Sequence, residues 1–192
     1  MVALKEKISA FAILAVSIAF STCSHAKELD ASYAVNAGDT LRVYVWNEES
    51  LARELLVAPD GHISFPMVGD LDVNGLTTQS IGERISLGLG KYLRDKPQVT
   101  VSLMAVNGNR IFVLGTVRRP GQFIITSPTD VMQALALGGG LDEFSSGKGI
   151  KVLRRDANGM QRAIKFDYSR VTDGRDLETN ILLRANDVVV VP

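Results

Sequence analysis

Val43, Val45 and their neighbours in DTLRVYVW alternate apolar and polar after the turn-forming Asn36-Ala37-Gly38-Asp39. That period of two puts successive side chains on opposite faces of a half-buried strand. Leu55–Val57 and His62–Phe65 flank Pro59-Asp60-Gly61, whose Asp-Gly step suits a tight hairpin requiring positive φ. Gly69-Asp70 and Asn74-Gly75 punctuate two further short extended pieces. The period then changes. Ile81, Ile85, Leu89 and Leu93 recur every four residues and predict a helix over roughly 77–93. Alternation returns in Gln98–Met104, a strand entered through Pro97, and Asn107-Gly108 marks a turn and the expected domain boundary.

A second block repeats the scheme. Arg110–Leu114 reads as a strand that turns through Arg118-Arg119-Pro120-Gly121, where Pro-Gly suits a type II turn, into Gln122–Thr126. Ser127-Pro128-Thr129-Asp130 predicts a capping box with serine at the cap, and the helix over 129–137 is expected to end at Gly138-Gly139-Gly140 through a left-handed cap. Ile150–Arg154 and Arg162–Phe166 read as strands joined through Asp156-Ala157-Asn158-Gly159, and Val188–Val191 closes the chain after Asn186-Asp187. Hairpin, helix, hairpin and final strand is the order of a β-grasp domain. The fold class is α+β, not a doubly wound sheet.

One apolar run belongs to neither block. Ile8–Phe20, behind Lys5 and Lys7, would span only about 20 Å as a helix, against a hydrocarbon core of roughly 30 Å. Residues 1–26 therefore read as a secretory signal. Two processing routes stay open. Cleavage after Ser24-His25-Ala26 leaves a soluble chain beginning at Lys27, whereas Phe20-Ser21-Thr22-Cys23 resembles a lipobox that would leave Cys23 lipidated. The address is the periplasm or beyond, with outer-membrane association under the second route. Over the whole chain 21 basic residues balance 21 acidic ones, so no electrostatic footprint for nucleic acid is present. Cys23 is the single cysteine, which excludes an intrachain disulfide and any cysteine-rich zinc site.

With these elements placed, a family resemblance emerges. Tyr33, Val35, Gly38-Asp39, Leu41, Val43 and Val45-Trp46, then Asp60-Gly61, Ile63, Phe65-Pro66 and Gly69, then Val73, Gly75 and Thr77, resemble the polysaccharide export N-terminal domain. Pro97, Val99 and Val101 close that block as in the family. Val113, Gly115, Val117, Pro120-Gly121, the triple glycine and the final Asp187–Pro192 resemble its companion, the soluble-ligand-binding β-grasp (SLBB) domain. The expected organisation is a signal peptide over 1–26, an export domain over 27–107 and an SLBB domain over 108–192. The resemblance to the Wza-like outer-membrane polysaccharide export proteins implies a ring-forming homo-oligomer that passes a capsule or exopolysaccharide chain. The partners it implies are that polysaccharide and an inner-membrane co-polymerase, often with an attached tyrosine kinase. Because the sequence runs out at Pro192 directly after a strand, dependence on a separate outer-membrane channel is also expected. The resemblance implies no enzyme activity, cofactor or metal.

The chemistry-bearing residues are few. Asp39 and Asp60 each sit beside glycine in a turn, which reads as turn and cap chemistry. A glycosidase would need two acids facing each other about 5–9.5 Å apart. His62 reads as an exposed strand histidine beside a hairpin, with a base role near Ser64 as the alternative. Trp46, a lone tryptophan ending an apolar strand, reads as core, with sugar stacking as its alternative. Arg118 and Arg119 at a hairpin tip are candidate contacts for an acidic glycan or partner. Gly82, Ser86 and Gly90 form a small-residue ridge on the first helix, and each glycine there costs about 0.8–1 kcal/mol of helix propensity relative to alanine. Close approach of another backbone would offset that cost, either the chain's own sheet or a neighbouring subunit. The rival functions are an accessory protein that binds the glycan or caps a channel, and a periplasmic glycan-cleaving enzyme.

Overall fold

The computed structural model describes residues 33–93, 96–156 and 158–192. The expected signal segment, with Cys23 inside it, lies outside the described residues, as does Ala157. The first part of the fold contains strands β1 (Thr40–Val45), β2 (Arg53–Leu56), β3 (His62–Phe65), β4 (Gly69–Asp72), helix α1 (Thr78–Leu89) and strand β5 (Val99–Ala105). β1 is the centre of a three-stranded antiparallel sheet, with β2 on one side and β5 on the other. Leu41, Val43 and Val45 point inward and pack with Ile81, Ile85 and Leu89 of α1 and with Ile63 and Phe65 of β3. The helix and the β3–β4 hairpin therefore cover one face of the sheet.

The hairpin expected around Asp60-Gly61 does not form. β3 pairs with β4, and β2 pairs with β1. Local bonds from Ala58 N to His62 O and from Gly61 N to Ala58 O close the turn. Val57 is instead held by Asp39 O and by Gly38 N, which draws β2 onto the first sheet. Helix α1 starts where expected, with the Thr77 hydroxyl accepting from Ser80 N, but stops at Leu89 with Gly90 as its C-cap. Two glycines, Gly88 and Gly90, lower helix propensity at this end. Gly88 also allows close packing, since a Cβ there would lie 2.5 Å from Val68 Cγ1 at the hairpin tip. Leu93, past the helix, still packs against the same core.

The second part comprises β6 (Arg110–Gly115), β7 (Gly121–Ile124), α2 (Val131–Leu137), β8 (Ile150–Arg155), β9 (Gln161–Phe166), α3 (Tyr168–Thr172) and β10 (Val188–Val191). Its sheet runs β7-β6-β10-β8-β9, with β10 parallel to β6 and antiparallel to β8. The last strand is thus inserted at the centre, the arrangement of a β-grasp sheet. Four consecutive valines suit a strand flanked on both edges, and Val189 and Val191 enter a core with Ile111, Val113, Ile150 and Leu135. Gly115 permits the parallel pairing: at φ +98° a Cβ would collide with the Val191 carbonyl.

Two local expectations fail here. The cap of α2 is Asp130, not Ser127: Asp130 Oδ1 accepts from Gln133 N at 2.8 Å while Gln133 Oε1 accepts from Asp130 N at 2.9 Å. Asp130 is extended and bridged to Leu182, and the Thr129 carbonyl accepts from Leu183 N, so the helix begins at Val131. Gly121 lies at φ +159°, nearly extended, and already belongs to β7, so Pro120-Gly121 is not the centre of a type II turn. The glycine end of α2 behaves as expected, with Gly139 and Gly140 at positive φ and their amides returning to Ala136 O and Leu135 O.

Candidate functional site

Each part of the chain buries one carboxylate, at the same place in its local sequence. Asp39 and Asp187 each follow a residue of positive φ, Gly38 at +97° and Asn186 at +67°, and each leads into the strand that centres its sheet. Asp39 is fully buried. Its Oδ2 accepts from Tyr33 Oη at 2.6 Å and Asn36 N at 2.8 Å, and its Oδ1 accepts from Asn107 N at 3.0 Å and Gly108 N at 2.7 Å. Four neutral donors satisfy it, two of them on the segment linking the two cores. Burial, and next the hydrogen bond to Asp39, hold the Tyr33 phenol well above its usual range. Gly108 must be glycine, because a Cβ would lie 2.4 Å from Ala37 O. Beside this junction a cleft of about 450 Å³ is lined by the 36–38 turn, Asp60, Asn74, Arg110 and Asn186.

Asp187 is satisfied differently. Arg154 Nε lies 3.0 and 3.1 Å from its two oxygens, Arg154 Nη2 donates to Oδ2 at 2.7 Å, and Arg184 N donates to Oδ2 at 2.8 Å. The guanidinium also reaches Leu182 O at 2.8 Å. This largely buried ion pair pins the 182–187 loop to β8 at the entry to the final strand. Both carboxylates are buried and held by these donors, which is a structural use of each charge. Asp60 is an exposed turn residue whose Oδ1 accepts from His62 N at 3.1 Å. The His62 ring faces Asp60, with Nδ1 3.2 Å from its carbonyl oxygen, and among the described residues no hydrogen bond joins it to Ser64.

The expected contact residues Arg118 and Arg119 are both exposed, and their loop is ordered by the glycine end of α2. Arg118 N donates to Gly140 O, Arg119 N to Gly138 O, and Arg119 Nη2 approaches Leu137 O at 3.4 Å. Arg119 thus complements the carbonyl end of α2, while the Arg118 side chain makes no ion pair among the described residues. On α1, Gly82 and Ser86 face the chain's own β5: a Cβ on Gly82 would lie 3.2 Å from Val99 O, and Ser86 Oγ donates to Pro97 O at 2.7 Å. Gly90 is exposed at the helix end. Trp46 is not core. It is 62% exposed, because Val43 and Val45 take the inward positions and leave Tyr44 and Trp46 on the opposite face.

The roles of Asp187 and Arg154 escape motif reading. The signal that finds them is the repeated pattern of a positive-φ residue, an aspartate and a valine- or leucine-rich strand at 38–45 and again at 186–191.

The fold and its junction define a two-domain α+β chain whose second half is a β-grasp module. Residues 27–104 match the polysaccharide biosynthesis/export protein family and residues 109–191 match the SLBB domain. It is 29% identical over 183 residues to the EPS I polysaccharide export outer membrane protein EpsA of Ralstonia nicotianae, an alignment covering 83% of this chain and 47% of that protein. The exopolysaccharide production protein ExoF of Rhizobium meliloti is 29% identical over 153 residues, covering 73% of this chain and 36% of ExoF. The capsule polysaccharide export outer membrane protein CtrA of Neisseria meningitidis is 27% identical over 179 residues, covering 82% and 43%. The chain spans less than half the length of these relatives.

Proposed function

We propose that this protein is a periplasm-facing component of a capsule or exopolysaccharide export machine, which assembles with copies of itself into a ring and handles the polymer without cleaving it. The observation that carries the reading is the pair of matches, export domain then SLBB domain, on a fold whose two buried carboxylates are both consumed by structural donors. The export domain, from the mature N-terminus to about Asn107, supplies the ring, and the SLBB domain docks a partner or guides the glycan. Partners in this reading are an inner-membrane co-polymerase, with its kinase where present, and a channel in the outer membrane. Among the described residues no helix is long and apolar enough to cross a membrane. Either signal-peptidase route places the protein outside the cytoplasm, and mass spectrometry of the mature N-terminus distinguishes a chain starting at Lys27 from one lipidated at Cys23.

The deciding experiment removes the protein from its own host and restores it. Surface polymer is expected to fall to background and to return on complementation. Unchanged surface polymer, or release of reducing ends when the purified protein meets that polymer, would defeat the reading in favour of an accessory binder or a glycan-cleaving enzyme respectively.

A further inference from the structure

The export domain exposes apolar side chains on two opposite faces. On the uncovered side of the three-stranded sheet, Tyr44 and Trp46 project together; Thr100 lies opposite Tyr44 in the β1–β5 register, and Arg42, opposite Ser102, shares the face in an ion pair with Glu54. Trp46 N continues that ladder by donating to Gln98 O at 2.9 Å. After Trp46 and Asn47 the chain carries Glu48 and Glu49, and Glu49 is exposed. On the other side, beyond α1 and the β3–β4 hairpin, lies a groove of about 360 Å³. Its apolar wall is Met67, Leu71, Leu87 and Tyr92, and its charged rim is Arg84 and Lys91. Leu87 is 65% exposed on a helix whose Ile81, Ile85 and Leu89 are buried.

Two details mark the groove as more than incidental surface. Met67 sits at φ +65° in the Phe65-Pro66-Met67-Val68 turn, closed by Val68 N to Phe65 O at 3.2 Å, a position that favours glycine. Holding a methionine there keeps a flexible apolar side chain at the groove mouth, in a backbone conformation such residues adopt only when the surroundings impose it. At the groove floor Val68 packs so closely over Gly88 that a Cβ there would lie 2.5 Å from Val68 Cγ1.

We infer that the Tyr44–Trp46 face of one copy seats on the Met67–Leu87–Tyr92 groove of the next, and that this is a contact that builds the ring. The inference rests on the ring reading given above. A second copy is the favoured occupant because the two surfaces complement one another in charge. Acidic Glu48 and Glu49 follow the protruding aromatic within three residues, and basic Arg84 and Lys91 rim the groove. Neither Glu49 nor Lys91 is in an ion pair among the described residues. The two surfaces lie on opposite faces, so each copy gives one and receives the other. Such a head-to-tail contact closes into a ring or runs on as a filament, and a two-fold dimer cannot satisfy it.

Trp46 is the only tryptophan, which gives the interface its own reporter. In dilution of the processed full-length protein, native mass and Trp46 emission should change together, with a blue-shifted maximum in the assembled state. Leu87→Glu and Trp46→Ala, both at exposed positions, should raise the assembly midpoint at least about tenfold while far-UV circular dichroism stays unchanged. Lys91→Glu and Glu49→Lys should each weaken assembly, and the double reversal should restore it. Assembly that proceeds unaltered in Leu87→Glu and Trp46→Ala would overturn this contact and leave the ring reading standing. A wild-type protein that is monomeric at every concentration would overturn both. A Trp46 emission shift on adding dextran or hyaluronan to the assembled protein, at unchanged native mass, would give the aromatic face to a glycan instead and also overturn the inference.

Discussion

The two buried aspartates solve one problem in two ways. Asp39 is surrounded by neutral donors, three of them backbone amides, and two of those belong to the linker. Asp187 is balanced by a guanidinium and a single backbone amide. Amides cannot be removed by changing a side chain, so Asp39 is the one side chain through which the junction's three backbone donors are held. The loop at Asp187 depends on two side chains, and losing either one strands the other. An aspartate held by backbone donors fixes geometry between elements, whereas one held by arginine fixes a loop to a strand.

The largest expected effect follows from that contrast. Arg154→Leu leaves Asp187 buried without its counter-charge and should destabilise the protein by about 3–5 kcal/mol. Adding Asp187→Leu should recover part of the loss, since no unpaired charge then remains. Chemical denaturation of the single and double variants measures both numbers. A single variant as stable as wild type would show that water or a side-chain rearrangement reaches Asp187, and would remove the distinction between the two sites.

Asp39→Asn should cost somewhat less, about 1–3 kcal/mol. The amide must turn its NH2 either toward Tyr33 and Asn36 or toward Asn107 and Gly108, so one pair of donors loses its acceptor. No compensating side-chain change is available, because the lost partners on the linker are backbone. Gly108→Ala should disturb the same junction from the other side, with its Cβ set against the Ala37 carbonyl. Denaturation midpoints for the two variants, together with protease sensitivity around residues 105–110, test whether the junction opens locally.

Much of this contrast was legible in part. The alternation in 40–45 and the valines of 188–191 mark the two central strands, because a strand's period needs only local information. The spacing of Ile81, Ile85 and Leu89 marks α1 for the same reason. What local pattern does not contain is the partner. Asp39 looks like a turn residue, and it is one, but its other acceptor sites are filled by amides 68 and 69 residues away. β3 and β2 are both good strands, yet their pairing is decided by which sheet Val57 and Phe65 enter. The cap of α2 moved from Ser127 to Asp130 because an inter-element bond at Thr129 overrides a local capping signal. Trp46 shows the opposite case. Its exposure follows from parity with Val43 and Val45, and composition-based expectation for a lone tryptophan pointed the other way.

A smaller effect separates the sites by pH. Tyr33 is held neutral in the folded protein by burial and by its bond to Asp39, so its folded pKa lies above the unfolded one. Below the ordinary tyrosine value of about 10 this contributes fully to stability. As pH rises past that value the unfolded chain loses its proton first, and stability falls toward the folded pKa. Tyr33→Phe should flatten the alkaline limb of a stability–pH curve, and Arg154→Leu should leave that limb's slope unchanged. An alkaline limb identical in Tyr33→Phe would assign the loss to other groups.

The smallest effect is expected at the third turn aspartate, which serves as the control for the other two. Asp60 follows the same local logic as Asp39, an acid beside a positive-φ glycine, with Gly61 at +84°. It is nevertheless exposed, and among the described residues its carboxylate serves only the His62 amide and ring. Asparagine keeps an oxygen acceptor for His62 N and is compatible with a turn before glycine. Asp60→Asn should therefore change stability by no more than about 0.5 kcal/mol. It also bears on function, because Asp60 is the one aspartate of the three whose carboxylate is open to solvent and lines the junction cleft. If the protein handles polymer without cleaving it, secretion in the Asp60→Asn strain should match wild type at equal protein level. Complete loss of surface polymer with a normally folded, normally abundant variant would make that carboxylate a chemical participant and would return a glycan-cleaving reaction to consideration.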